Sequence, residues 1–154
     1  MPMPNAIVIL NYNGVQHLQT YLPSVLEYSP NWEVVVADNA STDDSRSFIE
    51  SNFPQIKVIQ LEQNFGFAGG YNLALGQLKD HYEHYFILNS DVRLTANWDV
   101  PLLEYLAKNP AAAVVGPKVL ADNIRRIQRW RPTLRTPYGA MTAPTTNPQA
   151  AIDS

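Results

Sequence analysis

The stretch Ala6-Ile7-Val8-Ile9-Leu10, followed at once by Asn11-Tyr12-Asn13, decides how the chain folds (residues 6–13). Five consecutive apolar residues are too few for a helix. Their hydrophobicity is continuous rather than alternating, the pattern of a strand buried on both faces of a parallel sheet. Runs of the same kind recur at 34–37, 58–61, 85–88 and 113–115. Between them the apolar residues take helical spacing: Val15, Leu18, Leu22, Val25 and Leu26, then Phe48 and Ile49, then Tyr71, Ala74, Leu75 and Leu78. Such a β-α-β-α order predicts an α/β fold, a mainly parallel sheet with helices on both faces and ligands beyond the C-terminal strand ends.

Punctuation inside this order sets further expectations. Pro23 within the first helical stretch predicts a kink, or a restart with proline in the first turn of a second short helix. Asn97 or Asp99 caps a helix that has Pro101 in its first turn and ends near Asn109-Pro110. Beyond about residue 121 the periodicity fails, and the Pro-, Thr- and Ala-rich tail from Pro132 reads as loosely ordered. The expected division is therefore a core over 1–120 and a second region over 121–154.

The chain has 154 residues, 45% hydrophobic and 16% charged, which suffices for one domain burying roughly 70% of its unfolded surface. Twelve prolines against seven glycines, without a collagen-like period, exclude fibrous and wholly disordered classes. No apolar run reaches the ~18 to 20 residues of a membrane-spanning helix, and the start has neither a basic leader nor a cleavage site, so a cytoplasmic protein is expected. The absence of cysteine removes disulfides, zinc ribbons and thiol nucleophiles; any metal must use oxygen or imidazole ligands. The net charge of −3 hides an asymmetry: residues 1–120 carry 6 Lys/Arg against 12 Asp/Glu, and residues 121–154 carry 5 Arg against 2 Asp. An acidic body argues against nonspecific nucleic-acid binding.

Polar residues stand where the crevice rule places a site: Asn11-Tyr12-Asn13 after the first run, Asp38-Asn39 after the second, Asn89-Ser90-Asp91 after the fourth. Asn and Asp favour turns, so each group taken singly reads equally well as strand termination. Three such groups at three strand ends favour a shared site. Gly66-Phe67-Ala68-Gly69-Gly70 lacks the G-x-G-x-x-G spacing of a dinucleotide fold. Its small residues still allow close backbone approach to a ligand, and it reads as a loop leading into a helix whose first N–H groups favour anions. Ser41, Thr42, Asp43 and Asp44 read as helix-start residues, and His81 and His84 as solvated or capping histidines.

Five segments in order, VILNYNG (8–14), VADNASTDDS (36–45), NFGFAGGYNLAL (64–75), FILNSDV (86–92) and VVGPKVL (114–120), resemble the inverting family 2 glycosyltransferases of the GT-A fold, especially the rhamnosyltransferase-like branch. The resemblance covers nearly the whole periodic part. It implies a GT-A, Rossmann-like fold and transfer of a sugar from a nucleoside diphosphate sugar, UDP- or dTDP-linked, to an acceptor hydroxyl with inversion. Asp38 is then placed against the nucleobase or ribose, where a carboxylate accepts hydrogen bonds from a base N–H or a sugar hydroxyl. Asn11 and Tyr12 match the base-contacting strand end, with Asn13 and Asn39 beside them. Asn64, Gly66, Ala68, Gly70 and Asn72 line the donor pocket, and Phe67 packs.

Asn89-Ser90-Asp91 stands at the family's D-x-D-type motif with its first carboxylate replaced. Asp91 is left as the principal metal ligand, with Asn89 either contributing a neutral oxygen or contacting the sugar nucleotide, and Ser90 on the sugar nucleotide. Mg²⁺ or Mn²⁺ suits carboxylate, water and diphosphate oxygens, and neutralises charge on the departing diphosphate. The basic, aromatic stretch 124–132 either binds a diphosphate-linked lipid acceptor or an anionic membrane surface in peripheral contact, or is a solvated loop. No acidic residue lies between Asp122 and Asp153, so no candidate general base is found in the terminal region. The chain reads as the nucleotide-sugar half of a truncated transferase acting on an acceptor glycan or lipid-linked saccharide. The competing expectation is a non-catalytic nucleotide-sugar-binding module that assembles with or regulates a partner. An α/β nucleotidyltransferase is disfavoured by the lack of an Arg- and Lys-bearing phosphate loop.

Overall fold

A computed structural model describes residues 3–117. Four strands, β1 (Asn5–Asn11), β2 (Trp32–Asp38), β3 (Lys57–Gln60) and β4 (Tyr85–Asn89), form one sheet in the order β3-β2-β1-β4, every neighbouring pair parallel. The two central strands are the continuously apolar ones. Ala6, Ile7, Val8 and Ile9 of β1 and Val34 through Ala37 of β2 are all buried, so both faces of each strand are covered. The edge strands are wetter, and Ile87 of β4 is 49% exposed.

Helices α1 (Val15–Tyr28), α2 (Ser45–Asn52) and α3 (Gly66–Leu78) connect the strands. The chain moves from β1 to β2 to β3 in one direction and then returns past β1 to β4. Right-handed crossovers therefore put α1 and α2 on one face and α3 on the other. The packing agrees: α1 touches α2, and α3 lies on β1 and β2. Ala6, Val8, Val35, Ala37, Ile59 and Leu61 share one core cluster with Tyr71, Ala74 and Leu78 of α3. The alternate residues Ile7, Ile9, Val34 and Val36 turn to the opposite face, the side of the buried Leu18, Leu22 and Val25 of α1 and Ile49 of α2. Burial of each such side chain contributes about 1.5–3 kcal/mol.

Three expectations are corrected. Residues 113–115 form no strand; Val114 is 57% exposed, and this short run, bracketed by Pro110 and Pro117, pairs with none of the four strands. Pro23 does not restart the helix. α1 runs through it as one element with Pro23 on the exposed side, and the neighbouring Ser24 hydroxyl donates to the Tyr21 carbonyl at 2.7 Å. The glycine-rich stretch is no loop either: α3 begins at Gly66, so 66–70 are its first residues.

The chain divides into two compact units at Ala96/Asn97. In the second, α4 (Val100–Lys108) starts after Asp99, carries Pro101 in its first turn and is followed by Asn109, as its punctuation predicts. The Asp99 carbonyl accepts the N–H groups of Leu102 and Leu103 at 3.0 and 2.9 Å. The expected boundary at 120/121, the region 121–154 with Arg125, Arg126, Arg129, Arg131 and Arg135, and the end of the segment 114–120 lie outside the described residues. Among the described residues no helix is long and apolar enough to cross a membrane.

Candidate functional site

Because all four strands are parallel, their C-terminal ends share one rim. The connection reverses between β1 and β4, so a topological switch point opens beside the end of β1, the position where open α/β sheets hold ligands. Asn11 closes β1, Asp38 closes β2, Asn89 closes β4 and Asp91 follows two residues later. The aspartates expected to share a site therefore share an end of the sheet.

Six of the expected residues form one hydrogen-bonded network, whose two halves are joined by the Asn39 N–H donating to the Asn11 carbonyl at 2.8 Å. Asn11 is fully buried and its Nδ2 donates to Asp38 Oδ2 and to Ser41 Oγ, both at 3.1 Å. Asp38 is 1% exposed, and its Oδ1 accepts the Ser41 N–H at 2.8 Å and Gln60 Nε2 at 3.0 Å. Asn39 fastens the next segment: its Nδ2 donates to Asn64 Oδ1 at 2.8 Å and to the Gly66 carbonyl at 3.2 Å, and its Oδ1 accepts the Phe65 N–H at 3.0 Å. Asn64 Oδ1 also accepts the Gly66 N–H at 2.8 Å. Gly66 stands at φ +69°, a left-handed conformation that an L side chain rarely adopts. Asn13, itself left-handed, holds the turn after β2, its Oδ1 accepting the Thr42 N–H at 2.7 Å.

Most of the remaining expected residues face outward. Tyr12 is 50% exposed; Asn72, Ala68, Asn89 and Asp91 are exposed, and Ser90 is half-buried. Gly70 is buried, and a Cβ there would stand 2.7 Å from Leu10 Cδ1, so the missing side chain lets α3 close on β1. Phe67, expected to pack, does so at the surface: it is 63% exposed and meets the Tyr71 ring edge to face, centroid to centroid 5.0 Å. His81 and His84 bond to the Lys79 carbonyl and to Asn5, at the opposite end of the strands. That end also carries a cavity of about 390 Å³ lined by Met3, Leu75, Lys79, Asp80, Tyr82 and Tyr85, away from the polar rim. There burial, together with the hydroxyl bond to Glu33 at 2.7 Å, pushes Tyr82 up to about 12.

Four residues that the strand-end reading passes over complete the rim. Gln60 is hidden inside an apolar run and emerges only once β3 pairs with β2 and sets it opposite Asp38. Ser41, read as a helix-start residue, is a junction that accepts from both Asn11 and the Asn13 N–H. The Tyr71 hydroxyl donates to the Leu88 carbonyl at 2.8 Å and accepts the Leu10 N–H at 3.3 Å, tying β1 to β4 near the switch point. Burial, and to a lesser degree the charge of Asp91, raise its pKa. Gly14 lies against Asn11 Oδ1, a buried acceptor without a hydrogen-bond partner; a Cβ at Gly14 would come within 2.5 Å of it and 3.7 Å of Ser90 Oγ.

Asp43 joins two helices. Its Oδ2 accepts the Val15 N–H at the start of α1, and its Oδ1 accepts the Ser45 N–H at the start of α2, both at 3.0 Å. Burial acts to raise its pKa, but the hydrogen bonds from Ser45 and Val15 prevail and hold it below the ordinary value.

Among the described residues no three His, Asp or Glu side chains gather into a metal cage. Asp91 offers one exposed carboxylate at the rim. Mg²⁺ and Mn²⁺ are commonly held by one or two carboxylates together with substrate phosphates and water, so a single aspartate fits a metal that arrives with a diphosphate.

The parallel sheet with its flanking helices matches the GT-A, Rossmann-like fold. The chain matches Glycosyl transferase family 2 over residues 6–153 and belongs to that family. It is 29% identical over 111 residues to the putative teichuronic acid biosynthesis glycosyltransferase TuaG of Bacillus subtilis (strain 168), a match covering 70% of this chain and 43% of TuaG. Its fold resembles S. aureus TarS 1-349 in complex with UDP-GlcNAc (TM-score 0.64, 24% identity, 82% of this chain and 37% of that one). It also resembles the mannosyltransferase PcManGT from Pyrobaculum calidifontis in complex with GDP-Man and Mn2+ (TM-score 0.61, 23% identity, 73% and 34%). The chain thus spans less than half the length of the relatives it matches.

Proposed function

We propose that this chain is the nucleotide-sugar-binding portion of an inverting glycosyltransferase of the rhamnosyltransferase-like branch. It binds a UDP- or dTDP-linked sugar for transfer to a hydroxyl of an acceptor glycan or lipid-linked saccharide on the cytoplasmic side of the membrane. The observation that carries this reading is the gathering of Asn11, Asp38, the Asn64–Gly66 segment and Asn89-Ser90-Asp91 on one rim at the switch point. The likeness to TuaG, named for teichuronic acid biosynthesis, supports a cell-wall or polysaccharide context, and the neighbours bound to UDP-GlcNAc and GDP-Man support a nucleotide-sugar ligand.

Each group then has a task set by its chemistry. The exposed Tyr12 ring offers a stacking face to the base. Asp38, oriented by Asn11 and Ser41, accepts a hydrogen bond from the nucleoside. The Asn39–Asn64 bond holds the start of α3, whose first N–H groups favour the diphosphate. Asp91 is the residue that would hold Mg²⁺ or Mn²⁺, which when bound offsets negative charge on the departing nucleoside diphosphate. The acceptor oxygen attacks the anomeric carbon from the side opposite the leaving group, giving inversion, and its proton passes to a base outside the residues described. Calorimetric titration of UDP and dTDP into wild type and Asp38→Ala tests the reading. A loss of about 1.5–3 kcal/mol, the worth of a hydrogen bond to a charged group, is expected; unchanged affinity would return Asp38 to a purely structural role.

A further inference from the structure

We propose that Gln60 is a specificity-determining residue that holds the place of the nucleobase N–H on Asp38 and swings aside when the donor enters. The inference rests on the reading that Asp38 receives the nucleoside. The Asp38 carboxylate is 1% exposed and takes three protein donors: Asn11 Nδ2 on one oxygen, the Ser41 N–H and Gln60 Nε2 on the other. At 1% exposure the carboxylate meets a ligand only when a group that covers it moves.

The three donors differ in how freely they move. Asn11 is fully buried in a central strand, and its amide is shared with Ser41 Oγ. The Ser41 N–H is backbone, fixed in a turn whose preceding residue, Ala40, is left-handed at φ 62°. Gln60 closes the edge strand β3, is exposed, and spends its other contact on a long 3.3 Å bond to the Leu61 carbonyl. It alone can rotate into solvent without disturbing the sheet.

Its amide N–H on a carboxylate oxygen is the same donor–acceptor pair that the imide N–H of uracil or thymine makes. A covalently tethered donor competes at a high effective concentration, more effectively than a passing water molecule. Gln60 therefore sets a threshold: bases presenting a well-placed N–H displace it, and ligands without one leave Asp38 closed.

Calorimetry on the full chain tests this with UDP and with inorganic diphosphate, comparing wild type, Gln60→Ala, Asp38→Ala and the double variant. Gln60→Ala is expected to tighten UDP about three- to tenfold, to leave inorganic diphosphate unchanged, and to give no gain in the Asp38→Ala background. If Asp38→Ala does not fold, as read by circular dichroism, Asp38→Asn takes its place in the same comparison. Weaker or unchanged UDP binding by Gln60→Ala, where the Asp38 variant does weaken it, overturns the role of Gln60 and leaves the donor reading standing. An equal gain for inorganic diphosphate overturns it as well. UDP affinity indifferent to Asp38 overturns the reading that Asp38 receives the nucleoside, and the role of Gln60 with it.

Discussion

Asn11 and Asp38 are register partners across β1 and β2, and the Asn11 amide donates to the Asp38 carboxylate at 3.1 Å with both side chains buried. A buried carboxylate is costly unless its oxygens are satisfied. The last residue of β1 thus helps to satisfy the last residue of β2 at the candidate site, and fold and candidate site share this bond.

Asn11→Ala removes the donor to Asp38 Oδ2 and to Ser41 Oγ together. The expected loss is about 1–3 kcal/mol of unfolding free energy, the range for leaving a buried polar group unsatisfied. Urea denaturation of variant and wild type checks it, with the midpoint falling and the slope unchanged.

Gly14→Ala tests the same bond from the other side. The new methyl group would come within 2.5 Å of Asn11 Oδ1, so either Asn11 turns away from Asp38 or α1 shifts. Overpacking of this kind costs about 1–3 kcal/mol. Gly14 has an ordinary negative φ of −113°, so no backbone strain is added to the steric contact.

Much of this was legible in the sequence, and the reasons differ residue by residue. The runs at 6–10 and 34–37 read correctly because strands buried on both faces need continuous hydrophobicity. The run at 113–115 misread because apolarity marks what a strand needs and not whether a partner is at hand. The restart offered for Pro23 does not occur, because a proline ring on the exposed side of a helix removes one hydrogen bond without forcing a break. At the site, Asp38 and Asn11 stood out as polar residues ending apolar runs. Gln60 did not, since its importance comes from the β2–β3 register, and Gly14 did not, since a glycine needed for close approach looks like any turn glycine.

Asp43 gives a pH signature. Its carboxyl is held below the ordinary 3.8 in the folded chain, so its ionised form stabilises the fold. That contribution is complete above the unfolded value and is lost as pH falls through the lowered folded value. Asp43→Asn should be less stable than wild type at neutral pH, and the gap should narrow under acid. Thermal midpoints of both proteins across the acid range check this; a gap independent of pH would assign the effect to packing.

The account stands or falls on whether the rim holds a nucleoside diphosphate with its metal through Asp91. Titrating UDP into wild type and Asp91→Asn, each with Mn²⁺ and with chelator, measures this directly, and the exposed position of Asp91 leaves the fold intact in the variant. The account predicts that Mn²⁺ tightens UDP binding in wild type only, while both proteins keep the same metal-independent affinity. Equal enhancement by Mn²⁺ in the two proteins, or no UDP binding by wild type at all, would contradict it.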